Sequence, residues 1–436
     1  MWRKVLSVSA AAVLASSTGT LSAAAAADPA SGDQSAPDRL QATATDQEFY
    51  QPPSPLPAGS NGSVIRSEPS KLAYALPWAN GQQLPANAKR LMYRSTDTRG
   101  NPVATTGTYF DPTTPWNGPG PRPLVVVAPG TQGQGDQCAP SKLVNVPFTA
   151  NPPGGPMVEY EMSTADALLS RGYAVVMPDY EGLGTPGVHT YVNRLAEAHA
   201  VLDAARAAQR LPNTQLPPHA RVGLWGYSQG GGAAAAAAEE AAGYAPDLDV
   251  KGTYSGAPPA DLRATLKQVD GGELAGAIGY TLNGMTAAYP QLRTTIQQNT
   301  NDAGKKMLDT VAGQCVGATS MQYAYHSTKE YTASGKPLDE LLDSMPVAEQ
   351  VLADNKIGNG KPSAPALVVS GSSDDIVPHG QAEQLADDWK AKGAQVQFQS
   401  IPEPPVKFLR SGLAHVLGDV PGLFAGMNWM DQQFAK

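Results

Sequence analysis

Only two cysteines occur in 436 residues, Cys138 and Cys315. That is too few for a disulfide scaffold, and it leaves a structural zinc site without its usual thiolates. Charge is also sparse: Asp, Glu, Lys and Arg make up 16% of the chain, against about 25% in ordinary soluble domains. The 31 Lys plus Arg are outnumbered by 39 Asp plus Glu, for a net charge of −8. With no basic excess to hold a phosphate backbone or an anionic membrane, nucleic-acid binding is excluded as the principal role. Long apolar runs are missing too, so no integral membrane segment is expected in the mature chain. What is plentiful is glycine, at 44, and proline, at 39, a loop-rich balance that still falls short of the roughly 25–30% typical of disorder. The length exceeds one average domain, yet an open α/β sheet carrying an insertion reaches it around a single core.

The start of the chain has the form of an export signal. Trp2-Arg3-Lys4 gives a positive head, residues 5–15 a short apolar stretch broken by Ser7 and Ser9, and Ala25-Ala26-Ala27 a small-residue cleavage site before Asp28. Residues 1–27 are therefore expected to be a secretion signal peptide, and the mature protein secreted and extracellular. In that oxidising setting an isolated pair such as Cys138 and Cys315 is expected to form one disulfide. A cysteine nucleophile is the alternative, and neither residue has the histidine context it needs.

Residues 28–59 are polar, with Pro52, Pro53, Pro55 and Pro57 close together, and are expected to be an extended or disordered N-terminal segment. β-Branched and apolar runs then recur at 90–95, 103–109, 123–128, 173–177, 221–225, 250–254, 366–370 and 396–401. Leu124-Val125-Val126-Val127, Ala174-Val175-Val176-Met177 and Ala366-Leu367-Val368-Val369 are continuous rather than alternating, as in strands covered on both faces. Residues 194–211 and 231–242 carry helical patterns between such runs. The alternation predicts an α/β fold, a mostly parallel central sheet flanked by helices. The gap from Tyr254 to Ala366 far exceeds the ~30 residues of a βαβ unit. Residues 258–362 are accordingly expected to form a helical cap or lid inserted into a core made of 60–257 and 363–436.

The most informative segment is Gly226-Tyr227-Ser228-Gln229-Gly230, a G-x-S-x-G sequence between an apolar strand and a run of Gly and Ala. A serine on so sharp a strand-to-helix turn exposes its hydroxyl above the sheet, and the flanking glycines let neighbouring backbone pass close. The helix that follows points its first N–H groups at the serine, so the amide of Gln229 is a candidate oxyanion donor. A serine needs a histidine to take its proton and a carboxylate to orient that histidine. Gly371-Ser372-Ser373-Asp374-Asp375 follows a strand of the parallel sheet, where active sites of open sheets gather. Asp374 is the preferred acid, with Asp375 beside it expected to matter much less. Of six histidines only His379 and His415 follow the acid. His379 shares the acid's own loop, which leaves His415, expected in a Gly-flanked loop after the last strand. Gly130-Thr131, after the strand 123–128, is the candidate second oxyanion loop, with Thr131 as donor.

Two other patterns carry less. Gly182-Leu183-Gly184-Thr185-Pro186-Gly187 fits G-x-G-x-x-G, but Pro186 interrupts the turn into a helix that a dinucleotide loop requires. Asn61-Gly62-Ser63 is a glycosylation sequon whose use depends on the host. No cofactor and no metal are expected.

Taken together, Phe49-Tyr50-x-Pro52-Pro53, Gly130-Thr131 followed by Cys138-Ala139-Pro140-Ser141, Pro178-Asp179-Tyr180-Glu181-Gly182-Leu183-Gly184, the Gly-Tyr-Ser-Gln-Gly elbow, Gly371-x-x-Asp374-x-x-Val377-Pro378 and His415 resemble the α/β-hydrolase superfamily. Within it the chain is similar to the secretory lipases related to Candida antarctica lipase A, with many actinobacterial members, over roughly residues 48–436. The resemblance implies a carboxylic ester hydrolase acting on a small-molecule or lipid ester through an acyl-enzyme, with Ser228, Asp374 and His415 as triad and a cap before the acid-bearing strand. Ala128-Pro129 departs from the family, which often has a histidine just before Gly-Thr. A serine peptidase of the same fold and a catalytically silent binding protein are the alternative functions, and a monomer is favoured.

Overall fold

The computed structural model describes residues 44–72, 84–146, 148–404 and 410–436. The expected signal segment 1–27 and the first part of the 28–59 lead-in lie outside the described residues. The centre of the molecule is a nine-stranded sheet in the order β1-β2-β3-β7-β4-β8-β9-β10-β11. Its strands are β1 (Val64–Ser70), β2 (Ala86–Thr96), β3 (Pro102–Pro112), β4 (Leu124–Ala128), β7 (Ala174–Pro178), β8 (Arg221–Tyr227), β9 (Asp249–Gly256), β10 (Ala366–Gly371) and β11 (Val396–Ile401). From β7 to β11 all neighbours pair in parallel, and β1, β2 and β3 add an antiparallel flank. Two short strands, β5 (Phe148–Thr149) and β6 (Met157–Val158), pair separately as a hairpin.

The continuous apolar runs behave as doubly covered strands should. Leu124, Val126, Ala174, Val176, Val222, Leu224 and Val368 enter one core layer, under the helices Arg194–Gln209, Gln229–Tyr244 and His379–Ala391. Val125, Val127, Val175, Met177, Trp225, Leu367 and Val369 enter the opposite layer, under Met162–Ser170 and Leu413–Phe434. Helix Arg194–Gln209 starts where the Asn193 side chain accepts a hydrogen bond from the Ala196 N–H, a standard N-cap.

The lead-in requires a correction. A helix runs from Ala44 to Phe49, and Phe49 and Tyr50 are buried against Met92. The Arg90 guanidinium lies 4.5 Å from the centre of the Phe49 ring, and Tyr50 Oη is 2.8 Å from Ser141 Oγ. The folded structure thus begins within the segment expected to be extended or disordered, because two aromatic rings repay ordering the chain there. Asn61, the sequon residue, donates from Nδ2 to Tyr244 Oη at 2.8 Å, so the nitrogen a glycan would take is already engaged.

Between β9 and β10 the chain is helical, from Leu262–Val269 to Pro346–Asn355. Tyr280, Met285, Met307 and Tyr323 are buried in apolar clusters of this insertion, whereas Met321 and Tyr325 are exposed. A third cluster joins insertion residues Val269 and Ile278 to Ile376 and Val377 beside the aspartate pair, with Tyr227 packed against it. The other tie is covalent: Cys138 and Cys315, both fully buried, form a disulfide. Backbone bonds run alongside it, from Val316 N–H to Gln132 O at 2.8 Å and from Gln134 N–H to Gln314 O at 2.9 Å. The insertion is thereby fastened to the loop that follows β4.

The disulfide spans 177 residues, and in the chain-entropy account closing so long a loop restricts the unfolded state by about 5 kcal/mol. A Cys138→Ala/Cys315→Ala double variant is expected to unfold at a clearly lower temperature and denaturant midpoint, measured by circular dichroism. An unchanged midpoint would refute the stabilising role.

Candidate active site

Ser228 follows β8 directly and precedes the helix Gln229–Tyr244, with φ 59° and ψ −125°. Such angles are strained for an L-residue and are sustained only by surroundings that dictate them. The surroundings are backbone on every side. A Cβ on Gly226 would lie 2.0 Å from Gly230 O, and one on Gly230 2.0 Å from Ala128 O. The Ser228 N–H donates to Gly256 O at 2.9 Å, and its carbonyl accepts from Gly232 N–H at 3.0 Å. Its side chain caps nothing in the helix and is partly exposed, while Gly226, Gln229 and Gly230 are buried. A hydroxyl is thus presented at the carboxyl edge of the sheet on an immobile backbone.

Asp374 and His415 meet close to Tyr227, the residue before Ser228. His415 Nδ1 lies 2.7 Å from Asp374 Oδ2, and Asp374 Oδ1 accepts the N–H groups of Ile376 at 3.0 Å and Val377 at 2.8 Å. A carboxylate can only accept, so the imidazole proton sits on Nδ1 and Nε2 is the basic nitrogen. Burial works to lower the His415 pKa, but the carboxylates of Asp374, Asp375 and Asp419 outweigh it and leave the imidazole above its ordinary 6.5. Burial in turn lifts Asp419, one turn further along the helix, up to about 6, with His415 pulling it back down.

Three features of this cluster differ from the sequence reading or escaped it. His415 lies not in a loop but in the first turn of the helix Leu413–Phe434. Asp375 is not idle: it accepts from His415 N–H at 3.1 Å and Gly412 N–H at 3.0 Å, holding the backbone whose side chain Asp374 orients. Tyr227 donates from Oη to His415 O at 2.6 Å, and its ring centroid lies 5.0 Å from that of the imidazole. An aromatic directly before the serine was visible in the sequence, but nothing local tied it to a histidine 188 positions away.

The two candidate oxyanion donors lie on segments in contact, since a Cβ on Gly130 would be 3.5 Å from Tyr227 O. The backbone N–H groups of Thr131 and Gln229 have no acceptor among the described residues. Behind Gln229 lies a buried polar network. Its Nε2 donates to Glu197 Oε1 at 2.7 Å and sits 3.2 Å from His189 Nε2, while His189 Nδ1 is 3.2 Å from Glu181 O. The carbonyl fixes the proton on Nδ1, so Nε2 accepts the second Gln229 proton. Burial pushes His189 down to about 4 and Glu197 up to about 8, so the network is uncharged at neutral pH and satisfied. His189 is therefore a structural partner of the elbow, not a second base. Gly182 to Gly187 runs as turns, with the next helix starting only at Arg194.

Similarity to known proteins converges on one group. Residues 150–436 match the family model described as secretory lipase. A Mycobacterium tuberculosis protein described as a probable inactive lipase is 31% identical over 81% of this chain and 76% of its own length. A secreted triacylglycerol lipase of Malassezia furfur is 26% identical over 80% of this chain and 69% of its own. Among solved structures, Candida antarctica lipase A in its closed state aligns with a TM-score of 0.73 at 24% identity, covering 88% of this chain and 85% of that one. The rice cell wall degrading esterase of Xanthomonas oryzae aligns with a TM-score of 0.69 at 22% identity, over 86% and 100%. At those identities the structural matches speak for the α/β-hydrolase fold.

The electrostatics are testable without any substrate. The His415 imidazole is expected to titrate above 6.5 by NMR in the native protein, and in Asp374→Asn its pKa is expected to fall. A native value below 6.5, or no change in the variant, would contradict the pairing.

Proposed function

The chain belongs to the secretory lipase family, and on that premise we propose that it is a secreted serine hydrolase that cleaves carboxylic esters, acting on lipid or small-molecule acyl esters. The observation that carries the reading is the bond of 2.7 Å between His415 Nδ1 and Asp374 Oδ2, with the imidazole against the ring of Tyr227, the residue that directly precedes the partly exposed Ser228. In the proposed cycle Ser228 Oγ attacks the ester carbonyl carbon while its proton passes to His415 Nε2. The carbonyl electron pair moves onto oxygen, opposite the N–H groups of Gln229 and Thr131. The tetrahedral adduct then collapses, the alcohol leaves with the proton from His415, and water repeats the sequence on the acyl-enzyme. The helices of residues 262–355 are proposed as a cap whose apolar surface accommodates the acyl chain. A cavity lined by Ile278, Leu282, Ile296, Met307, Leu308 and Tyr323 lies inside it.

A silent binding protein is the second reading, favoured by the relative described as a probable inactive lipase. Two features of this chain speak against it: Ser228, Asp374 and His415 are all present, and buried carboxylates hold the imidazole pKa up.

Hydrolysis of p-nitrophenyl esters from two to sixteen carbons is the test of the proposal. Ser228→Ala and His415→Ala are expected to lower kcat by about 10⁴-fold or more with folding intact, since such groups act as a unit. Asp374→Ala follows closely. Asp375→Ala, through the His415 and Gly412 N–H groups it anchors, is expected to cost about tenfold, the order of a hydrogen bond to a charged group. Because the base works only when neutral, kcat/KM should rise with pH along a limb set by His415, with its midpoint above 6.5. A folded wild type inert on the whole panel would establish the silent reading, and Asp375→Ala more damaging than Asp374→Ala would reassign the acid.

A further inference from the structure

The first residues of the loop that carries the second candidate oxyanion donor have little with which to anchor themselves. Pro129 has no N–H, Ala128 has no polar side chain, and Gly130 has no side chain at all. Thr131 Oγ1 is held 2.7 Å from Tyr191 Oη, and the backbone before and after it is tied by residues from other segments. Tyr180 Oη donates to Pro129 O at 2.9 Å. Glu161 Oε1 accepts the Gly130 N–H at 2.5 Å, and Tyr160 Oη donates to Thr131 O at 2.7 Å. Those last two bonds bracket a single peptide unit, the one between Gly130 and Thr131. On that unit Gly130 O accepts from Gln132 Nε2 at 3.4 Å, and a trans peptide then turns the Thr131 N–H the opposite way.

Tyr160 and Glu161 occupy the short link between β6 and the helix Met162–Ser170, and a third residue secures the link. Glu159, fully buried, accepts the Glu161 N–H on Oε1 at 2.7 Å. A solvent-facing connection has no need of two buried glutamates; an adjacent backbone that requires an acceptor does. Glu161 meets that need, and burial first, then the neighbouring carboxyl groups of Glu159 and Asp419, hold its pKa well above the usual carboxylate range despite the Gly130 bond, favouring its neutral form. A neutral acceptor is also the right one there. A fixed negative charge beside the elbow would repel an oxyanion.

We propose that Tyr160 and Glu161 are positioning residues that hold the Gly130–Thr131 peptide so that the Thr131 N–H faces the carbonyl oxygen of a bound ester as it becomes an oxyanion. The proposal rests on the reading of Ser228 as nucleophile. It assigns to a segment far from any sequence motif of the site the work that Pro129 and Gly130, which lack polar side chains, cannot do. Tyr160 is about two-fifths exposed, and Tyr160→Phe keeps its ring while removing only the hydroxyl bonded to Thr131 O.

The experiment compares wild type with Tyr160→Phe, Glu161→Leu and Glu161→Gln. It measures kcat and KM on a soluble short-chain ester, and affinity for an aryl trifluoromethyl ketone, whose adduct with the serine carries the oxyanion. Tyr160→Phe is expected to lower kcat and weaken the ketone by the same factor, about tenfold, with KM little changed, because displacement of one donor is felt only in the tetrahedral state. Glu161→Leu should lose at least as much, and Glu161→Gln, which keeps a neutral acceptor for Gly130, should recover most of that loss. Tyr160→Phe with wild-type kcat and ketone affinity would overturn the proposal, as would Glu161→Gln no better than Glu161→Leu. An organophosphate that leaves Ser228 of the wild type unlabelled would overturn the nucleophile reading instead, so the two failures are distinguishable.

Discussion

Ser228 is held in a backbone conformation that side-chain-bearing residues avoid, at a cost of about 1–3 kcal/mol, and the rest of the site is arranged around that constraint. The chain can turn so sharply because Gly226, Gly230 and Gly231 let the carbonyls of Gly230, Ala128 and Gly256 approach to where a Cβ would stand. The alanine-rich helix behind follows from the same demand, since it packs through Ala233 to Ala238 against the centre of the sheet. Packing that tight transmits position. The loop after β4, the elbow and the end of β9 form one rigid unit, and the groups around the serine inherit its rigidity.

Around that unit the polar groups are sorted by charge. On the imidazole side the carboxylates of Asp374, Asp375 and Asp419 surround His415 and favour its protonated form, the form that must arise when it takes a proton. Around the proposed oxyanion donors burial favours the neutral forms: His189 is lowered to about 4, Glu197 raised to about 8, and Glu161 raised. In the proposed cycle this concentrates negative charge where a cation would develop and withholds it where an anion would. The disulfide and the bonds beside it join this arrangement to the helical insertion, so the proposed cap and the loop after β4 share one fixed point.

The fold was legible in the sequence because burial on two faces leaves continuous apolar runs, and all eight runs singled out fall on strands of the sheet, 123–128 and 173–177 starting one residue early. The elbow and the separation of the acid from the histidine were legible because strain demands glycine and chemistry demands few residue types. β1 was not, since Arg66, Ser67, Glu68 and Ser70 sit on an edge strand with no apolar pattern to mark it. The helix Ala44–Phe49 was hidden by the proline-rich stretch beside it. Asp375, Tyr160 and Glu161 escaped for a different reason. Each acts through a hydrogen bond to backbone, and backbone partners leave no trace in residue type. A Glu-Tyr-Glu run between two apolar segments was the one available hint, and without coordinates it reads as a solvated turn.

The central claim is that Ser228 forms an acyl-enzyme and releases it. Brief incubation with p-nitrophenyl butyrate, acid quench and peptide mass spectrometry tests this directly. The account predicts a butyryl group on the peptide containing Ser228 during sustained p-nitrophenol release, and neither acyl group nor release in Ser228→Ala. A folded protein that releases no p-nitrophenol and carries no acyl group, or one that carries it on another residue, would contradict it.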